Sequence, residues 1–162
     1  MSQPAEAKQP QAQPETRGGV VPYLSVDGAV KASEFYQKAF GAEEVARQPL
    51  DEKGRTMHIH LYVNGGSLML SDPYPEYGYP WEAPKGCTLT LRVDDIDFWW
   101  KRGVEAGMEV VTPVEVMFWG DRYAVVADPF GHKWSFATHI KDMTPAEMEA
   151  GMKEAFAHGP PS

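Results

Sequence analysis

The sequence predicts an α+β fold of two βαβββ modules, forming curved mixed sheets around a cleft, with a short C-terminal helix. Three observations carry that prediction. Val21-Pro22-Tyr23-Leu24-Ser25-Val26-Asp27 and Thr88-Leu89-Thr90-Leu91-Arg92-Val93-Asp94 are alternating strands, and each runs through Val-Asp into an amphipathic stretch closed by glycine. The two stand 67 residues apart, longer than a solenoid repeat and suited to one βαβββ module. Each strand has one apolar and one polar face, so two such sheets would each keep a polar face for a cleft.

The elements follow in order. Residues 1–18 are rich in Gln, Pro, Ala and Glu without hydrophobic periodicity, and a disordered tail is expected there. A domain over 19–140 comes next, with modules at 19–73 and 86–140. In the first module a strand is expected at 20–26 and a helix at 28–40. Ala32, Phe35, Tyr36, Ala39 and Phe40 form that helix's apolar stripe, and Gly41 stops it. Strands near 43–50, 56–63 and 67–72 follow, the last two joined by the hairpin signal Asn64-Gly65. The linker 74–85 crowds Tyr74, Tyr77, Tyr79 and Trp81 among prolines, as a lid or as a contact to a second subunit. The second module reads as strand 87–93, helix 95–106 and strands near 109–119, 122–127 and 133–138. Ile96, Trp99, Trp100 and Val104 share one face of its helix, which assigns them to the core. Asp128-Pro129-Phe130-Gly131 is a turn. In 141–162, a C-terminal helix and tail, Thr144-Pro145-Ala146-Glu147 has the form of a capping box with proline at the first helical position.

A chain of 162 residues supports one domain, or two small modules sharing a core. Its formal net charge of −8 argues against nucleic acid or an anionic membrane as a partner. Cys87 is the only cysteine, which excludes an internal disulfide or a thiolate metal cluster and favours a reduced, cytoplasmic setting. No apolar run approaches a membrane span, and no signal peptide is expected.

Period-2 alternation sorts the strand residues into faces. Met57, Ile59, Leu61 and Val63 oppose His58, His60 and Tyr62; Leu89, Leu91 and Val93 oppose Thr88, Thr90 and Arg92. Trp134 and Phe136 oppose Lys133, Ser135 and Ala137. If the sheets curve about a common axis, histidine, tyrosine, hydroxyls and arginine line a cavity.

Four segments resemble a known family when taken together at module spacing. They are Val21-Pro22-Tyr23-Leu24; Phe35-Tyr36-Gln37-Lys38-Ala39-Phe40-Gly41-Ala42; Gly66-Ser67-Leu68-Met69-Leu70-Ser71-Asp72; and Phe118-Trp119-Gly120-Asp121-Arg122-Tyr123 with Asp128-Pro129-Phe130-Gly131-His132-Lys133-Trp134. Residues 19–140 resemble the vicinal oxygen chelate superfamily of glyoxalases, bleomycin-resistance proteins and dioxygenases. The branch they look most like is named after the phosphonate-operon B protein and its demethylubiquinone-methyltransferase-like relatives. The resemblance implies a divalent metal held by one side chain from the first and one from the last strand of each module. By position those sites fall on Val21, Met69, Thr88 and Ser135. A thioether is a poor ligand for hard or borderline metals, and the other three are neither His nor carboxylate. The usual metal site is therefore expected to be absent, and with it the warrant for a glyoxalase, a ring-cleaving dioxygenase or a fosfomycin-type transferase. The resemblance also implies a homodimer whose two chains complete each cleft.

His58 and His60 point the same way, so they could form half of a relocated metal site with Asp72 or Asp121. Two ligands without a third are not a site, and hydrogen-bonded residues of a sheet face are the simpler reading. His60 as a general base lacks an identifiable orienting partner. Trp119 and Arg122 are either a recognition loop, stacking on a ligand and pairing its anionic group, or an internal brace involving Asp121. Arg92, flanked by Thr88 and Thr90, is an anion-binding candidate. His132, in a turn, is expected to be exposed. No nucleophile with a base is indicated.

The expected function is a glyoxalase/bleomycin-resistance-like protein that binds a small molecule, planar or amphipathic and suited to an anionic group. Tyr23, His58, His60, Tyr62, Arg92, Trp119 and Arg122 would bind it, with no metal or other cofactor and no assigned catalytic residue. The alternative is a divalent-metal-dependent lyase or isomerase using His58 and His60. A second alternative is a dimeric interaction module with a vestigial cleft.

Overall fold

The computed structural model describes residues 13–158. The first module is β1 (Tyr23–Ser25), α1 (Ala29–Phe40), β2 (Glu43–Arg47), β3 (Ile59–Val63) and β4 (Gly66–Ser71). The second is β5 (Thr88–Arg92), α2 (Ile96–Ala106), β6 (Glu109–Val116), β7 (Asp121–Ala127) and β8 (Lys133–His139), followed by α3 (Pro145–Phe156). In each module the first strand pairs in parallel with the last, giving the orders β1-β4-β3-β2 and β5-β8-β7-β6. The other pairings are antiparallel. The duplicated α+β fold read from the sequence is thus present strand for strand. Among the described residues no helix is long and apolar enough to cross a membrane.

Local chemistry explains the boundaries. Asp72, buried at the end of β4, accepts the Gly28 and Ala29 amides at 3.0 and 2.9 Å through Oδ1. Its Oδ2 accepts the Thr56 amide at 2.8 Å. One carboxylate therefore satisfies two orphan donors at the positive end of α1 and fixes the approach to β3. Both of its oxygens thus bond backbone amides. At the other end of α1, Arg102 of α2 donates to the Lys38 and Gln37 carbonyls. The β3–β4 turn has φ of 48° at Asn64 and 80° at Gly65, both left-handed, as a two-residue hairpin requires. Asn64 also reaches the second module, donating to the Arg92 carbonyl at 2.8 Å. The capping box at α3 is formed by Thr144 and Glu147.

The two modules share one core, built on the helix-bearing faces of both sheets. Phe40 lies 4.8 Å from Trp134 and 6.1 Å from Phe136 between ring centroids, so α1 packs into the second module's sheet. At the centre is Asp128, also buried. Its Oδ2 accepts the Tyr36 hydroxyl from α1 and the Trp134 indole at 2.9 Å, and its Oδ1 accepts the Phe130 and His132 amides. Burial, with the Asp128 charge beside it, pushes the Tyr36 hydroxyl pKa well up.

Some expectations shift. Met57 is 60% exposed because β3 begins at Ile59, so it does not share the core face of Ile59 and Leu61. Val104 is exposed, and Gly103 takes the buried position, facing Phe136 and Met108. β1 begins at Tyr23 instead of residue 20. Met69 donates its amide to the Pro22 carbonyl, but two residues earlier on β4 Ser67 donates to Arg17. A regular parallel ladder would use Val20 there. Three residues are looped out, and Val21, the first metal position implied by the family resemblance, is outside the strand. Of the expected tail, residues 1–12 lie outside the described residues. The aromatic linker is held by Arg55, which pairs with Asp51 and Glu76 and lies 4.4 Å over the buried Tyr74 ring. Tyr77 and Tyr79 remain exposed.

Replacing Asp128 by Ala strands two side-chain and two backbone donors in or beside the core. Urea unfolding should show a loss of about 3 kcal/mol or more, against about 1.5 kcal/mol for Tyr36→Phe, which removes a single bond.

Candidate functional site

The polar face of the first sheet gathers four of the seven residues singled out in the sequence. Register places Tyr23, Met69 and His60 side by side across β1, β4 and β3, with Tyr62 opposite Ser67. The Tyr23 hydroxyl lies 2.8 Å from His58 Nδ1 and 3.1 Å from the Met57 carbonyl. His60, only 3% exposed, sets Nε2 2.8 Å from Ser67 Oγ. The rings of His58 and His60 are 6.4 Å apart, and those of His60 and Tyr62 meet edge to face at 5.2 Å.

Residues 13–17 cross this face. The Tyr62 hydroxyl donates to the Glu15 carbonyl at 2.6 Å, and the Arg17 amide donates to Ser67 Oγ at 2.8 Å. The Arg17 guanidinium sits 3.7 Å over the Tyr62 ring. Beneath the crossing is a cavity of about 270 Å³, lined by Gln13, Pro14, Thr16, Val45, Ala46, Arg47, Gln48, His58, His60 and Met69. Sequence reasoning missed this segment because its composition is that of a solvated tail, without the periodicity that marks a strand or helix.

Desolvation lowers the His60 pKa, and the neighbouring His58 and Arg17 charges lower it further. A neutral imidazole is thus favoured there, able to donate through one nitrogen and accept through the other. Burial raises the Tyr23 hydroxyl. Toward a metal of the superfamily's kind this face offers two imidazoles, each with one ring nitrogen bonded to a hydroxyl and one left over, while the Asp72 oxygens bond backbone amides. Among the described residues, no group of three or more His, Cys, Asp or Glu could hold one.

The other three candidates belong to the second module. Arg92 is exposed beside Thr88 and Thr90, and Thr90 Oγ1 lies 2.7 Å from Ser135 Oγ. Arg122 does not share the polar face. It alternates with Tyr123, falls on the side of the buried Ala124 and Val126, and grips Asp97 of α2 with two bonds of 2.9 Å. Trp119 donates to Asp121 at 3.2 Å and meets the Tyr123 ring at 5.4 Å. Asp121 also holds His139 Nδ1 at 2.8 Å, while His139 Nε2 meets Asp142 at 2.7 Å. His132 is half-buried, and its Nε2 has no partner among the described residues. Both sheets give their apolar faces to the shared core, so their polar faces lie outside it. Among the described residues no hydrogen bond, ion pair or ring contact joins the first group of candidates to the second.

A model of the Glyoxalase/Bleomycin resistance protein/Dioxygenase superfamily matches residues 20–136. An uncharacterized protein of Mycobacterium tuberculosis is 41% identical over 137 residues, covering 81% of this chain and 80% of its own. Among solved structures, protein PA1353 of Pseudomonas aeruginosa is similar with a TM-score of 0.62 and 31% identity, over 75% of this chain and 98% of that one. TnmS3, an antibiotic binding protein of Streptomyces sp. CB03234, is similar with a TM-score of 0.57 and 27% identity, over 78% and 96%.

Two titrations follow from this geometry. The His60 ring, followed by NMR, should titrate below the ordinary histidine value of about 6.5, and His58→Ala should move it back toward that value. His139 behaves oppositely, because its bonds to Asp121 and then Asp142 raise its pKa. A base with a raised folded pKa adds stability in full below its unfolded value, and loses it as pH rises through the folded value. His139→Gln should therefore be less stable than the parent in urea near pH 5.5, and the gap should close in alkaline solution.

Proposed function

Because the chain belongs to the Glyoxalase/Bleomycin resistance protein/Dioxygenase superfamily, we propose that it binds a small planar or amphipathic molecule on the polar face of its first sheet, by contact and without bond-making. The observation that carries this reading is the cavity walled by His58, His60 and Met69, with the Tyr23 hydroxyl bonded to His58 and the Tyr62 ring set against His60. Aromatic edges and faces supply apolar area, and neutral imidazoles and hydroxyls fix orientation. The likeness to an antibiotic binding protein supports the same class of activity.

The second sheet has its own polar face, with Thr88, Thr90 and Arg92 exposed. We read it as the opposite wall of a cleft completed by a second copy of the chain. Arg92 would then supply the cation for an anionic ligand, its guanidinium matching a carboxylate or sulfonate. A single exposed thiol, Cys87, fits a reducing, cytoplasmic setting.

Light scattering should give the mass of a dimer, and a monomeric mass would sink the two-chain cleft. Fluorescence titration with 8-anilinonaphthalene-1-sulfonate, an aromatic anion, tests the face itself. His60→Ala and Arg92→Ala should each weaken binding roughly fivefold or more, a loss of about 1 kcal/mol each. Unchanged affinity in both would move the ligand elsewhere. Near-stoichiometric zinc or manganese after desalting, lost in His58→Ala, would replace this reading with the metal-dependent lyase or isomerase.

A further inference from the structure

The segment 13–17 occupies part of the surface that the proposed ligand needs. Its attachments are all to ligand-face residues: Tyr62 through the Glu15 carbonyl, and Ser67 through both the amide and the carbonyl of Arg17. The guanidinium of Arg17 covers the face of the Tyr62 ring, the surface on which a planar ligand would stack. With the segment in place, the space left over His58, His60 and Met69 is about 270 Å³. Pockets that enclose a drug-sized molecule run from about 300 to 1,000 Å³, so the covered space falls at the small end of what such a ligand needs.

The attachment is also built to come away. Its bonds lie outside the shared core, and no side chain from 13–17 is part of that core. Gly18, with φ of 106°, and Gly19, around which a side chain would meet nothing within 4 Å, connect it to the sheet. These two residues lie within the stretch that loops out of the β1–β4 ladder. A swing about them leaves Tyr23–Ser25 paired to β4.

We propose that residues 13–17 are a hinged strap, a built-in competitor that covers the ligand face in the free protein and is displaced when a planar ligand stacks on Tyr62. The strap mimics the ligand: its guanidinium takes the ring face, its carbonyl takes the Tyr62 hydroxyl, and its backbone takes Ser67. Binding of a larger ligand therefore breaks four contacts before it forms its own, and affinity is set partly by residues that never touch the ligand. Proline and threonine at 14 and 16 wall the covered cavity, so a small ligand beneath a closed strap would meet a different site from a large one beneath an open strap.

The proposal rests on the reading of the first sheet as a ligand face, and the test separates the two. The probe is 8-anilinonaphthalene-1-sulfonate, titrated into the full chain and into Arg17→Ala, Arg17→Lys and Gly18→Ala. NMR follows exchange of the Ser67 amide and the ring signals of His60. Arg17→Ala should bind the probe about fivefold more tightly than the parent, with Arg17→Lys in between, as loss of one cation–ring contact and weakened backbone bonds require. Gly18→Ala, which disfavours the left-handed hinge, should act in the same direction. In the parent, the probe should speed exchange of the Ser67 amide while shifting His60. Equal affinities in all four proteins with His60 shifted would overturn the strap and leave the ligand face standing. A freed Ser67 amide in Arg17→Ala with His60 unmoved by the probe would overturn the ligand face, and the strap's role with it.

Discussion

A single buried carboxylate joins the two halves of this chain. Asp128 stands in the turn before β8, takes the Tyr36 hydroxyl from α1, and holds the Trp134 indole and two backbone amides of its own module. A charge in such a place is costly unless every lone pair is engaged, and here four donors converge on it. Phe40, seated between Trp134, Phe136 and Trp99, surrounds the polar knot with apolar contact. The direction of everything else follows. With α1 drawn against the second module's sheet, the helix-bearing faces must share one core, and the polar faces must look outward.

That outward orientation decides what kind of site the chain can form. Each polar face lies on the side of its sheet away from the shared core. A cleft then needs a covering element from outside the sheet itself. The first sheet receives one from residues 13–17, and the second sheet keeps Thr88, Thr90 and Arg92 exposed. Duplication has produced two similar sheets with unequal chemistry: imidazoles, phenols and a thioether on one, hydroxyls and a cation on the other.

Much of the fold was legible from alternation and punctuation. Val-Asp followed by a glycine-ended amphipathic stretch appears twice, and Asn64-Gly65 and Thr144-Glu147 carry their turn and cap chemistry openly. The parity of β3 correctly set His58, His60 and Tyr62 on one face. Parity also explains the miss at Arg122. Its strand begins one residue earlier than read, and the buried pair Ala124 and Val126 fixes which side is inner, so Arg122 braces α2 through Asp97. Gly103 hid its place because a glycine shows no hydrophobicity, although it is the buried position that faces Phe136. The crossing of the polar face by residues 13–17 was not legible. It depends on single long-range bonds to Tyr62 and Ser67, 47 and 50 residues away, and such contacts leave no local pattern. The single cysteine and the net charge said nothing of the ligand.

The looped-out residues between Arg17 and Pro22 carry a consequence for how this chain tolerates change. The ladder fixes two anchor points, the Arg17 carbonyl on Ser67 and the Pro22 carbonyl on Met69. The stretch between them is a spacer with no ladder position of its own. Closing a loop grows costlier only slowly with its length, about 0.6 kcal/mol for each doubling. Insertions there should accumulate with little penalty across descendants of this gene, while the anchors on either side stay in register. A spacer whose length is free, flanked by two fixed contacts, is a place where lineages can diverge in how readily the face opens without redesigning the face.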